Sequence, residues 1–356
     1  SEWRWAPVEQ AYGQIDAYSI YEKESGQWEW RVDGRHQQDD LAGFRFLAEI
    51  HDLSDIDFFQ EFERTFDRNT LRSLYSYAYL TRSWGPYALN LRADRRKTFL
   101  DDSEIVLNQL PEVELRVRST RVGRSDLYWS LVSSLNLFDV DRGGDLATMY
   151  GRADLYPQLS YSLPGPPWLS ITPRAGARGT LYSARLADDR QSYEDEWVDR
   201  TYISAGTDIV GPSFSRVFDL GDENGRRLKH LVEPRIEYFY VSDPGVTSDL
   251  PRFDEVDSTP VTNRARFTLA NRLFAKSKRS PSSREVGSLE VYQEYSFDEP
   301  LDRSGDETSQ RGPLVGALRL TPVSGVTVDA RASYDTLDDG LQSTSLSAGM
   351  YGRSLS

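Results

Sequence analysis

The stretch VTNRARFTLANRLFAK, residues Val261–Lys276, separates apolar from charged side chains along one extended segment. Its apolar residues share odd positions: Ala265, Phe267, Leu269 and Leu273. The even positions between them carry polar or charged groups: Arg264, Arg266, Thr268 and Arg272. A side-chain period of two predicts a β-strand with one apolar and one polar face.

The same alternation recurs along the chain, and roughly sixteen segments in all can be counted as strands. The clearest are Gln27–Gln37, Gly43–Asp52, Glu112–Thr120, Asp126–Asp139 and Val326–Thr336. Other extended runs exceed the five or six residues usual in globular sheets. These are Tyr150–Ser162, Trp168–Ser183, Lys229–Val241 and Arg284–Asp298. Strands of about ten tilted residues are long enough to cross a bilayer.

The connections between these segments have two sizes that alternate. Short turns occur at Ser83–Pro86, Val122–Ser125, Pro164–Pro167, Gly221–Gly225 and Ser324–Gly325. Long polar connections are expected at Leu53–Ser73, Arg96–Leu110, Ala187–Glu196, Ser242–Pro260 and Glu299–Gly312. After Gly43–Asp52 every second connection is predicted to be long. By the same count the earlier hairpin around Glu24–Gly26 should also be long, but it is short. This parity predicts an all-β, antiparallel up-and-down transmembrane β-barrel with short periplasmic turns and long external loops.

The composition agrees with that class. Hydrophobic residues make up 38% and aromatic residues 12% of the 356 residues, with 20 Tyr and 8 Trp. Disordered chains are poor in aromatic residues, whereas transmembrane barrels carry aromatic girdles at both interfaces. No 18-residue apolar run exists, which excludes a transmembrane helix. The absence of cysteine excludes disulfides and thiol catalysis, and the net charge of −14 argues against a nucleic-acid partner.

Residues for catalysis are scarce. The three histidines have no metal-ligand spacing, and no G-x-S-x-G elbow appears. We interpret His36 and His51 as polar residues of the lumen and His230 as a structural hydrogen-bonding residue. The acidic stretches Ala187–Trp197 and Asp249–Asp257 lack EF-hand spacing and are interpreted as solvated external loops rather than Ca²⁺ sites. We therefore expect no enzyme activity, no cofactor and no metal.

Several segments resemble the barrel of the LptD family. GRRLKHLVEPRIEYFYV at Gly225–Val241 matches its basic–His pair followed by EPR and an aromatic strand, and FDEVDSTPVTNRARFTLANRLFAK follows at Phe253–Lys276. Further matches are SDIDFFQEF from Ser54, YLTRSW from Tyr79, LNQLPEVELRV from Leu107, SITPRAG from Ser170 and GPSFSRVFD from Gly211. The residues of the signature are expected to be structural: His230, Glu233, Pro234, Arg235, Asn263, Arg264, Asn271 and Arg272.

The resemblance implies a function and partners. Proteins of this family insert lipopolysaccharide into the outer leaflet of the outer membrane of Gram-negative bacteria, without a covalent step. It implies an LptE-like lipoprotein plug in the lumen and an LptA-like periplasmic bridge that docks through an N-terminal domain. Residues 1–356 are then expected to be a fragment of the barrel domain, with the periplasmic jelly-roll and the last strands outside it.

One residue is a candidate for a lateral gate. Pro7 removes a hydrogen-bond donor from the first extended stretch, and prolines of this kind lie on edge strands. The resemblance implies that such prolines weaken the seam through which lipid A leaves. The alternative, which the residue alone favours, is that Pro7 simply begins a strand. A passive sixteen-stranded outer-membrane porin remains the alternative function, and a soluble all-β carbohydrate-binding protein a third.

Overall fold

The computed structural model describes residues 2–8, 10–21, 23, 26–54, 73–100, 103–142, 147–190, 192–221, 225–245, 248–258, 261–276, 282–298, 301–302, 308–337 and 340–351. Its strands are β1 (Glu2–Val8), β2 (Ala11–Tyr21), β3 (Trp28–Leu41), β4 (Phe44–Leu53), β5 (Ser73–Trp84), β6 (Tyr87–Leu100), β7 (Ser103–Arg121), β8 (Leu127–Asp141), β9 (Ala147–Tyr161), β10 (Ser170–Tyr182), β11 (Arg185–Leu186), β12 (Tyr193–Glu194), β13 (Val198–Val210), β14 (Phe214–Asp219), β15 (Arg227–Val241), β16 (Thr262–Lys276), β17 (Arg284–Ser296), β18 (Leu301–Asp302), β19 (Thr308–Ser309), β20 (Arg311–Leu320), β21 (Val326–Asp335) and β22 (Gly340–Met350). One 3₁₀ turn lies at Glu255–Asp257. No helix in the described ranges is long and apolar enough to cross a membrane.

One antiparallel sheet contains nearly all of these strands in up-and-down order. β13 and β14 both pair with β15 and form one interrupted strand, so the described sheet has 17 strand positions, close to the predicted number. β11–β12 and β18–β19 are small separate hairpins within two of the long connections. β1 pairs only with β2 and β22 only with β21 among the described residues, so the barrel wall is not closed.

The two faces of the sheet differ as the alternation predicts. In β9, Arg152 and Asp154 are buried on the face that we call inner. The neighbouring Leu155 and Leu159 are half exposed on the outer face. In β16 the exposed Phe267 and Leu269 also lie on the outer face. An apolar outer face and a polar inner face are those of a transmembrane barrel wall.

All the longest connections lie at one end of the sheet, which we call the long-loop end; the other is the short-turn end. The long connection predicted at Arg96–Leu110 is wrong. β6 and β7 continue as a paired hairpin from Arg96↔Leu107 to Leu100↔Ser103. The segments Arg96–Leu100 and Ser103–Leu107 have no regular apolar–polar alternation, and Lys97 and Phe99 of this hairpin are buried. Residues 55–72 of the long connection predicted at Leu53–Ser73, which include most of the SDIDFFQEF match, lie outside the described residues.

The interpretation of His36 as a luminal residue is also wrong. The register pairs Asp33 with His51 on the inner face and His36 with Ala48 on the outer face. His36 stacks on Trp5 with ring centroids 5.7 Å apart. In the sequence His36 lies at an even position, like the apolar Trp28 and Trp30. The alternation therefore already predicted that the His36 side chain lies on the outer face.

Candidate functional site

The inner face carries a segment of the connection between β15 and β16, its described residues 248–258, which we call the strap. The strap lies against β8, β9 and β10. Leu250 is 2% exposed and packs in a cluster with Phe138, Tyr150 and Tyr182. Phe253 packs on Phe138 with ring centroids 4.1 Å apart. This buried apolar contact attaches the strap to the wall.

Charged groups attach the strap as well. The guanidinium of Arg152 donates to both oxygens of Asp254 at 2.7 and 2.8 Å and to Asp257 Oδ1 at 2.8 Å. Tyr182 Oη donates to the same Asp257 oxygen at 2.7 Å. The side chains of Arg152 and Asp257 are 1% and 0% exposed, so each charge depends on its partners.

The strap is shaped locally to present these carboxylates. Asp254 caps the 3₁₀ turn by accepting from Val256 N at 2.9 Å, and Asp257 Oδ2 accepts from Phe253 N and Asp254 N. Burial raises the pKa of Asp254, but the hydrogen bonds and charge of Arg152 outweigh burial and hold that pKa below its ordinary value. The carboxylate is thereby kept ionised beside Arg152.

The interpretation of Asp249–Asp257 as a solvated loop is therefore wrong, because Leu250 and Asp257 are both buried against the wall. Two signals in the sequence could have identified the strap: the aromatic Phe253 inside an acidic stretch, and the Asp-x-x-Asp spacing of Asp254 and Asp257, which resembles a capping box. The acidic Ala187–Trp197 loop is partly neutralised too. Arg185 lies 2.7 Å from Glu194 and 2.8 Å from Glu196.

Beside the strap the inner wall forms a groove of about 820 Å³, lined by residues of both charges. Arg178 pairs with Asp154 at 2.9 Å, and Arg116 pairs with Glu114 at 2.7 Å. Such a surface can hydrogen-bond a polar ligand. In the described part of the chain, no group of three or more His, Cys, Asp or Glu side chains could hold a metal ion.

The signature residues are brought together on β15 and β16, which pair continuously from Arg227↔Lys276 to Val241↔Thr262. On the outer face His230 Nε2 lies 3.3 Å from Asn271 Oδ1, and Asn263 Oδ1 accepts from Tyr238 Oη at 2.9 Å. Pro234 O accepts from Gly211 N, at the break between β13 and β14. These contacts join neighbouring strands to one another.

The charged members of the signature lie on the inner face. Glu233 pairs with Arg235 at 2.6 Å, and Arg264 reaches Glu294 of β17 at 3.4 Å. Arg272 is paired in register with Leu231 on the same face. The other predicted site residue, Pro7, lies far from this set along the sheet, in β1, where the register with β2 is irregular between Trp5 and Val8.

A two-faced antiparallel wall, with its longest loops at one end and a polar, partly strapped inner face, defines the class of transmembrane β-barrels. Comparison with known proteins gives the family. The family model described as LPS transport system D (LptD) matches residues 26–353. The chain belongs to the LptD family.

A relative of known name agrees. The chain is 28% identical over 219 residues to "LPS-assembly protein LptD" of Alkalilimnicola ehrlichii. The alignment covers 60% of this chain and 27% of that protein. The chain thus spans about a quarter of the length of its relative.

Proposed function

We propose that this chain forms part of an outer-membrane wall through which lipopolysaccharide is delivered to the outer leaflet. The observation that carries the proposal is the family match over residues 26–353 on a sheet with an apolar outer and a polar inner face. Delivery requires binding and release and no bond-breaking step. The hydrogen-bonding inner groove suits such passage.

The proposal includes partners and a position in the cell. The chain works in the outer membrane of a Gram-negative bacterium, as a part of a barrel domain that further segments complete. An LptE-like lipoprotein occupies the lumen, and an LptA-like bridge supplies substrate from the periplasm. The polar inner face favours a protein plug, because its charged groups can hydrogen-bond a folded partner.

A seam for lateral exit is part of the same proposal. Pro7 cannot donate to a neighbouring strand, and its strand β1 is an edge of the described sheet. We expect Pro7→Ala to reduce lipopolysaccharide delivery if β1 belongs to the exit seam. Unchanged detergent resistance of the cells would leave Pro7 as an ordinary strand residue.

The test replaces the native protein by a regulated copy and measures lipopolysaccharide at the cell surface after depletion. Loss of surface lipopolysaccharide with accumulation in the periplasm is expected. Reconstitution into liposomes tests the porin alternative: rapid sugar influx together with undisturbed lipopolysaccharide export on depletion would overturn the proposed function.

A further inference from the structure

Four cations lie together on the inner face at the short-turn end of β15 and β16, and nothing in the strap or the groove uses them. The register pairs Arg227 directly with Lys276, Lys229 with Phe274, and Leu231 with Arg272. Paired residues of an antiparallel sheet share a face, so these side chains leave the sheet on one side. We call Arg227, Lys229, Arg272 and Lys276 the cation cluster.

The cluster has fewer close ion pairs than three other cations of the inner face. Arg152, Arg178 and Arg235 each contact a carboxylate within 3 Å. By contrast, no ion pair joins Lys229, Arg272 or Lys276 to a carboxylate within the described ranges. Arg227 has Asp219 at 3.8 Å, a contact whose two side chains are each 66% exposed.

This arrangement is costly for the fold alone. Like charges directly opposite one another on neighbouring strands are destabilising, and Arg227 and Lys276 are such a pair. Three carboxylates lie beside the cluster: Asp219 is the register partner of Arg227, Glu233 interacts electrostatically with Arg272, and Glu285 is the register partner of Phe274. Within the described ranges none of them forms a close ion pair with Lys229, Arg272 or Lys276. Lys229, Arg272 and Lys276, which lack a close ion pair, lie side by side with Arg227 and fit an anionic ligand.

We propose that the cation cluster binds the phosphate groups of a glycolipid as it enters the lumen at the short-turn end. Strands about 4.8 Å apart and alternate residues about 6.7 Å apart place Arg227, Lys229 and Lys276 within reach of one phosphate. Lysine and arginine bind phosphate through charge-assisted hydrogen bonds. The inner-face position favours a lipid passing through the lumen over a phospholipid of the surrounding bilayer. The inference rests on the proposed function and names a binding site for it.

The test uses the full chain in neutral detergent micelles, with p-benzoylphenylalanine in place of Phe274, the register partner of Lys229. Photocrosslinking to bisphosphorylated lipid A is measured for this protein and for the double variant Lys229→Gln/Lys276→Gln. We expect the double variant to lose about tenfold or more in crosslinking, because two charge-assisted hydrogen bonds disappear. Lys229→Arg/Lys276→Arg keeps the charge and is expected to crosslink within about twofold of the unsubstituted cluster.

Arg216→Gln is the matched control. Arg216 lies at the same end but pairs with His230 on the outer face, so its loss should leave crosslinking unchanged. Equal crosslinking in the glutamine double variant would overturn the inference. A competition experiment gives a second criterion. If added phosphatidylglycerol reduces the crosslinking to lipid A as strongly as unlabelled lipid A does, the cluster binds bilayer headgroups and the inference is overturned.

Folding and function are separated by two further readouts. Lys276→Gln alone should raise the unfolding temperature while it lowers crosslinking, because it relieves repulsion from Arg227. A lowered unfolding temperature would contradict the inference. If the chain does not crosslink lipid A but its depletion still blocks lipopolysaccharide export, the cation cluster is excluded and the proposed function stands. If the chain does not crosslink lipid A and its depletion leaves export undisturbed, the proposed function fails as well.

Discussion

Two regions of the same sheet differ sharply in burial. Where the strap covers β8–β10, Phe138 and Tyr182 are fully buried and the charged Arg152 is 3% exposed. In β22, at an edge of the described sheet, nearly every residue is exposed, and Leu346 reaches 76%. Both regions have antiparallel ladders; that of β8 and β9 is continuous, and that of β21 and β22 has one irregularity between Ser333 and Tyr334. The difference teaches that the buried core of this wall comes from a loop folded onto it, while the ladder alone leaves both faces open to lipid and water.

The largest expected effect is that of Arg152→Ala. It leaves the buried side chain of Asp257 without its ion-pair partner, and breaking a buried pair in this way costs about 3–5 kcal/mol. Urea unfolding in detergent micelles measures the change. The matched control is Arg319→Ala, which removes a partner of Asp329 at the exposed β20–β21 ladder and should cost far less. Equal losses would contradict the stated difference between the two regions.

Phe253→Ala tests the apolar attachment of the strap. Phe253 is partly buried against Phe138, so its truncation should cost about 2 kcal/mol, less than for a fully buried ring. Hydrogen exchange should show the strap amides released while the β8–β9 ladder stays protected. As a control, Leu346→Ala in β22 should change stability by less than about 0.5 kcal/mol. Protection of the strap in the Phe253 variant would show that the ion pairs alone hold it.

Gly13→Ala probes the edge strand β1. A Cβ at Gly13 would lie 2.2 Å from the ring of Trp5, which crosses Gly13 to stack on His36. Trp5 must then move, and we expect β1 to lose about 1 kcal/mol of local stability. Gly316→Ala in β20 is the control, because a Cβ there meets nothing within 4 Å. The check is amide hydrogen exchange in β1 and β2. Similar exchange rates in the two variants would show that the position of Trp5 does not stabilise β1.

The smallest effect concerns pH. The pKa of Asp254 is lowered in the folded chain, so its contribution to strap binding is present above the unfolded pKa of about 3.9 and is lost as the pH falls below it. Strap amides should therefore exchange faster at pH 3 than at pH 6, after correction for intrinsic rates. Asp254→Asn should remove the part of this dependence that comes from residue 254. A strap equally protected at both pH values would contradict the assignment.

Much of the fold could be predicted from local pattern. The faces of Phe267 and Arg266, the turn at Ser83–Pro86 and the position of the longest loops at one end are all as the alternation and loop parity indicate. The extension of β6 and β7 could not, because Arg96–Leu100 and Ser103–Leu107 have no regular apolar–polar alternation. The candidate site was found only in part: the signature strands were identified, whereas Arg152 was not.

The sequence by itself determined that the chain forms long two-faced strands in up-and-down order, because a period of two and the residue content of turns act over a few neighbouring residues. Only the tertiary structure decided that the strap folds inward. Arg152 and Asp254 are separated by 102 residues, and their pairing depends on the position that the intervening strands give them. The register likewise placed four cations together at one end of β15 and β16, because pairing between strands converts distant positions into neighbours.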